Sequence, residues 1–320
     1  MLRRLTWLAG LALLTALAAT WLLWWSAGEK PGPNRVKIAE GSSLSSVADQ
    51  LAAEKLIPGT ATTFKAFAKL FGSSDPIQAG EFDLPKGASA ARILDILQHG
   101  RAAVRLVTVP EGMPSILVQE KLAAVKELTG DAPLPAEGSV LPNSYDWQPG
   151  ESRAAVVARM QAAMAKALAE EWAKKGPRSV VKTPQEAIIL ASIVEKETGK
   201  ADERPMVAGV LSNRIRIGMA LGADATSIYP ITKGKPLGRM IKRSELLADN
   251  GYNTRTKLGL PAGPITNPGR ASIAAVLNPA ETKALYYVAD GSGGHAFANT
   301  LAEHNANVAK WRQYRKEKGI

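Results

Sequence analysis

Two glutamates, Glu195 and Glu197, close a fourteen-residue run, QEAIILASIVEKET (185–198), whose apolar residues recur at helical spacing. With Ile188 set at zero and about 100° per residue, Ile189, Leu190, Ile193 and Val194 centre an apolar face near about 160°. Glu197 falls at about 180°, on that face, and Glu195 at about 340°, opposite it. A carboxylate on an apolar stripe is rare unless it is paired or functional. Glu197 also lies in the last turn, where the negative end of the helix dipole and desolvation both disfavour ionisation. A carboxylic acid held protonated near neutrality is what a general acid requires. The alternative for Glu197 is a frayed last turn open to water. The same wheel makes Glu195 a solvated surface residue, and it stands second as a candidate acid.

A helix must hold these groups, and the sequence marks its start. Thr183-Pro184-Gln185-Glu186 is a capping box with proline at the first helical position, and Gly199 is a stop signal. Upstream, 152–175 predicts a long alanine-rich helix, 129–150 an irregular proline- and glycine-rich stretch, and 115–128 a further helix after a strand at 104–109. A smaller α+β module precedes them. It comprises a strand at 36–38, a helix at 41–56 capped by Ser42 or Ser43, a helix at 62–71, a strand at 79–84 and a helix at 89–98. A polar helix at 305–318 ends the chain.

The chain has 320 residues, 46% of them hydrophobic and 22% charged, which excludes disorder as its main state. The absence of cysteine excludes disulfides, thiolate metal sites and a cysteine nucleophile. Only three histidines occur, His99, His295 and His304, none in an HExxH pattern, so no metal or cofactor is expected. The net charge of +11 suits an anionic partner. Lys233, Lys235, Arg239, Lys242 and Arg243 form a dense basic patch that would face acidic peptide stems or lipid headgroups, or simply solvent.

Leu5 to Ala27 is 23 residues without a charge; about 20 suffice to cross a bilayer as a helix. Arg3 and Arg4 precede it, and Trp21, Trp24 and Trp25 gather at its far end, where indoles favour the membrane interface. A cleaved signal peptide would carry a shorter apolar stretch, of about 7–15 residues. The expected organisation is a cytoplasmic tail at 1–4, a transmembrane helix at 5–27, a linker at 28–34, a small module at 35–103 and a larger domain at 104–320. The fold class expected is α+β in both exported parts. Export disfavours a nucleic-acid partner and favours a polymer of the cell envelope.

Several segments, taken in order, resemble one family. ILASIVEKET (189–198), NRIRIGM (213–219), DATSIY (224–229), YNT (252–254), GLP (259–261), GPI (263–265), NPG (267–269) and YVAD (287–290) are followed by Gly294-His295, Phe297 and His304-Asn305. Together they are similar to the endolytic murein transglycosylase (YceG-like) family, membrane-anchored enzymes that cut nascent peptidoglycan. Glu111-Gly112-Met113, Glu137-Gly138 and Pro142 extend the likeness more weakly, and 36–100 resembles that family's LysM-like module. Gly222 stands where the family commonly has glutamine, Ala225 where it has proline, and Pro142-Asn143-Ser144-Tyr145 where it has PDTY.

The resemblance implies a lytic transglycosylase in which Glu197 protonates the oxygen between N-acetylmuramic acid and N-acetylglucosamine. The carboxylate then takes the proton of the muramic 6-hydroxyl as it closes a 1,6-anhydro ring. An intramolecular nucleophile has a high effective concentration, so the second carboxyl of ordinary glycosidases is dispensable. By the same likeness Asp224, Tyr229, Tyr252, Asn253, Thr254, His295 and Asn305 would line a glycan groove, and cell-wall synthases (penicillin-binding proteins) would be partners at the inner membrane. The competing function is a non-catalytic, membrane-anchored scaffold that binds peptidoglycan for those synthases, which the departures at Gly222 and Ala225 keep open.

Overall fold

The computed structural model describes residues 2–26, 34–57 and 59–319. All of the expected linker except Asn34 lies outside them. The chain divides into two units, Met1–Val104 and Arg105–Ile320.

The first unit runs α1 (Leu2–Trp25), β1 (Asn34–Ile38), α2 (Leu44–Ala53), α3 (Ala61–Phe71), β2 (Gly80–Leu84) and α4 (Ala90–His99). Ser43, Thr60 and Ser89 each accept the N–H three residues on, which starts α2, α3 and α4 at those positions. β1 and β2 pair antiparallel with Val36 opposite Phe82. Their alternation turns Val36, Ile38, Phe82 and Leu84 onto Leu51, Phe64 and Leu97. Helix α1 covers most of the apolar segment; among the described residues, no helix is long and apolar enough to cross a membrane. At its end Trp24 packs on protein: it is 1% exposed, with its ring 5.7 Å from Phe64 and 6.1 Å from Phe67. Its indole completes the module's core.

The second unit begins with β3 (Arg105–Val109), α5 (Ser115–Ala123), β4 (Asn143–Trp147) and α6 (Arg153–Trp172). β4 lies inside the stretch expected to be irregular. It pairs antiparallel with β3, Tyr145 opposite Val107, and the alternating Tyr145 and Trp147 turn inward. There follow α7 (Pro184–Glu197), a single 3-10 turn (Ala201–Glu203), α8 (Arg204–Arg216), α9 (Asp224–Thr232), α10 (Arg243–Leu246) and α11 (Arg270–Leu277). The hairpin β5 (Tyr286–Ala289) and β6 (His295–Ala298) and the helix α12 (Leu301–Lys318) complete it.

Helix α7 starts as its sequence predicts, with Thr183 Oγ1 accepting from Glu186 N–H. Every residue from Ala187 to Val194 is buried, because α6, α8 and α11 close around it. Burying Leu190 and Ile193 stabilises the unit by about 2–3 kcal/mol each. A helix enclosed on all sides is a rigid mount for whatever its last turn carries.

Candidate active site

Glu197 is the last residue of α7. Its carboxyl is hemmed in by β5, β6, α8 and the start of α9. The Tyr287 hydroxyl donates to Glu197 Oε2 at 2.8 Å. Burial lifts the Glu197 pKa above the usual carboxylate range; the charge of Asp224 adds to this, while the Tyr287 bond and the charges of His295 and Arg214 oppose it. Desolvation pushes the Tyr287 phenol well above its ordinary pKa, so it stays protonated and remains a donor. The Arg214 guanidinium lies 5.8 Å from the centre of the Tyr287 ring and is fixed by bonds from Nε to the Leu285 carbonyl (2.7 Å) and from Nη1 to the Leu221 carbonyl (2.6 Å).

His295 meets the Tyr287 ring edge-on at 5.3 Å. Glu203 orients it: Glu203 Oε1 accepts the His295 backbone N–H at 3.0 Å, and Glu203 Oε2 lies 2.8 Å from Nδ1. Thr198, directly after the candidate acid, donates to the same Oε2 at 3.1 Å. Burial raises the Glu203 pKa, but these bonds outweigh it and leave the group below its ordinary value, an anion beside His295.

Glu195 is not the solvated residue the helical wheel predicts. Its side chain is only 4% exposed. Oε1 pairs with Arg204 at 3.2 Å, and Oε2 accepts the Gly269 N–H at 2.8 Å. Arg204 also holds Glu111 at 2.7 Å. These four residues tie the loop after β3, the ends of α7 and α8 and the start of α11 into one clamp. Glu195 is therefore occupied on both oxygens, whereas Tyr287 holds Oε2 of Glu197 and leaves Oε1 for chemistry.

The groove residues expected from the resemblance separate into groups. Asp224 is largely exposed, ion-paired with Arg255, and close enough to Glu197 to raise its pKa. Tyr252 packs its ring 4.9 Å from that of Tyr229. Tyr229 turns its hydroxyl inward, donating to Glu137 Oε2 at 3.2 Å, so only its ring is available to a ligand. Asn253 and Thr254 are corrected as sugar contacts, being 0% and 1% exposed. Asn253 accepts from Ser227 Oγ (2.8 Å) and the Arg255 N–H and donates to the Leu246 and Ala248 carbonyls. Thr254 Oγ1 accepts from the Ala223 N–H and bonds Thr226 Oγ1. Both brace the wall from inside. Asn305 is exposed on α12, and no contact joins it to the cluster around Glu197.

Tyr287, Arg214 and Glu203 were not expected as site residues. Tyr287 and Arg214 fall inside matched segments, which was the available signal; Glu203 falls in none. Glu137 is a second carboxyl whose pKa burial raises, held by the Ser115 N–H at 2.9 Å. The basic patch is partly neutralised, since Lys235 pairs with Glu120 and Arg239 with Glu245. Among the described residues, no group of three His, Asp or Glu side chains is disposed to hold a metal ion.

The model of the YceG-like family matches residues 36–310, most of the chain and all of this site. The chain belongs to the YceG-like family. Among its YceG-like relatives, an endolytic murein transglycosylase of Bacillus subtilis is 26% identical over 315 residues, covering 88% of this chain and 86% of that protein. An endolytic murein transglycosylase of Streptococcus pneumoniae is 27% identical over 324 residues, covering 86% of this chain; the match spans 58% of that longer protein. The crystal structure of a YceG-like protein from Listeria monocytogenes superposes with a TM-score of 0.55 at 25% identity, covering 86% of this chain and 98% of that one.

Proposed function

We propose that this chain is a lytic transglycosylase acting on murein, with Glu197 as its single acid and base. The observation that carries the reading is the Glu197 carboxyl itself: buried, with a raised pKa, bonded through one oxygen to Tyr287, at the end of an enclosed helix. The proton passes from Glu197 to the glycosidic oxygen as the bond from muramic C1 to that oxygen breaks. The 6-hydroxyl of the same sugar then bonds to C1, and its proton returns to the Glu197 carboxylate. No water is consumed, and the product strand ends in 1,6-anhydro-N-acetylmuramic acid. Burial serves this cycle because it shifts the carboxyl toward its protonated form.

The uncharged stretch at 5–27, preceded by Arg3 and Arg4, supports a single-pass anchor in the plasma membrane with the larger unit outside it. That setting would bring the enzyme to nascent strands beside the synthases that make them, and the LysM-like likeness of 36–100 fits a glycan-holding module. The test is mass spectrometry of digested sacculi. Anhydro-muramic ends should be abundant with the wild type and absent with Glu197→Gln; equal yields from both would remove Glu197 from the reaction.

A further inference from the structure

A cavity of about 300 Å³ opens near the end of α7, lined among others by Lys196, Ile228, Tyr229, Lys235, Leu237 and Ile265. Lys196 lies between Glu195 and Glu197, and Ala225 on another wall follows Asp224, whose charge acts on Glu197. The cavity and the acid thus share α7, and α9 supplies both a wall of the cavity and Asp224.

Its walls are held in place. Ile265 is 2% exposed and donates its N–H to Ser192 Oγ inside α7 at 3.1 Å. Tyr229 is fixed by Glu137 and Tyr252 as described above. Gly234 adopts φ +86°, and a Cβ there would meet Pro114 Cβ at 2.5 Å, so the backbone passes as closely as it can. The chemistry of the lining is specific. Its inner surface is aliphatic and aromatic, and the Tyr229 hydroxyl is spent on Glu137. A bare sugar, ringed by hydroxyls, would leave those hydroxyls unpaired there. The polar groups offered are ammonium ions. Lys235 is paired with Glu120, while Lys196 is exposed and, among the described residues, has no acidic partner within ion-pair distance. A ligand matched to this surface carries small apolar side groups and a carboxylate.

We propose that this cavity holds the peptide stem carried by the muramic sugar at the cleaved bond, with Lys196 pairing a stem carboxylate and Ile228, Leu237 and Ile265 packing against its methyl groups. The proposal rests on the murein reading above, and it makes the peptide a determinant of which strands are cut. The stem hangs from the same sugar whose C1 reacts, which suits a pocket that shares α7 with the acid.

Two measurements on the 320-residue protein test it. The first compares turnover of glycan strands with stems intact and of the same strands stripped by an amidase. Wild type should prefer intact strands by about tenfold, and Lys196→Ala and Leu237→Asp should each lose about fivefold or more on intact strands only. Equal rates on both substrates, or equal losses on both, would overturn the proposal. The second titrates the amidase-released peptide into wild type and Lys196→Ala, a readout that needs no catalysis. Weaker binding by the variant supports the pocket; equal binding, or none by wild type, refutes it. A wild type inert on both substrates that still binds the peptide through Lys196 would instead sink the enzyme reading and leave the pocket standing.

Discussion

A buried carboxyl with a raised pKa burdens the fold it serves, and that burden is measurable in Glu197→Gln. The sign follows from proton linkage. The folded pKa stands above the unfolded value of 4.5. Between the two, the native state binds more protons than the unfolded state, so stability falls as pH rises through that window. At neutral pH wild type therefore carries a cost of about 1.4 kcal/mol for each unit of elevation. Glutamine does not titrate, and its Oε can still accept the Tyr287 hydroxyl, while the loss of the carboxylate's attraction to the charges of Arg214 and His295 offsets part of the gain. The variant should be more stable than wild type at pH 7.5, by an amount that grows with the elevation of the Glu197 pKa. For the 216-residue second unit each kcal/mol so gained corresponds to a rise of about 2–4 °C in melting temperature. Scanning calorimetry at pH 7.5 and pH 4 checks it: the difference should be present at the first and absent at the second. A variant that melts lower than wild type at pH 7.5, or a difference independent of pH, would refute the reasoning.

Two further outcomes follow from the same geometry. Tyr287→Phe removes the bond that favours the carboxylate, so the Glu197 pKa should rise further; the alkaline limb of the pH–rate profile should move to higher pH, with kcat lowered about tenfold by the lost alignment. An unmoved limb with normal kcat would deny Tyr287 that part. Glu195→Gln strips one carboxylate from Arg204, which keeps Glu111, and should cost about 2–4 kcal/mol in denaturant unfolding while leaving the shape of the pH profile intact. A stable but inactive variant would return Glu195 to the proton transfer.

The contrast between the two glutamates shows how far the sequence carries. The capping box at Thr183 and the apolar period of α7 were legible because both are local. The wheel put Glu197 on the buried side correctly but failed at Glu195, because it presumes one wet face. α7 has none: Ala187 to Val194 are covered all round, and Gly269 and Arg204 close over the side opposite its apolar stripe. Nothing in fourteen consecutive residues can report a backbone N–H contributed 74 positions later. Asn253 and Thr254 mislead for a related reason, since a polar side chain looks the same in sequence whether it meets a ligand or four partners inside the wall. β4 is different. Its Tyr145 and Trp147 alternate at strand period, and the surrounding prolines and glycines masked a signal that was present. Trp24 was placed by the usual preference of indoles, which Phe64 and Phe67 satisfy as well as a lipid surface does.

Tyr287 lies 90 residues beyond the carboxyl it holds. A chain made from its N-terminus therefore finishes α7 long before it can finish the catalyst. Until the β5–β6 hairpin docks, Glu197 ends an unsealed helix in water, where it would ionise and lose its proton to solvent. The hairpin is thus the last part of the site to be made, and a chain that ends before it lacks the Tyr287 bond that holds Glu197.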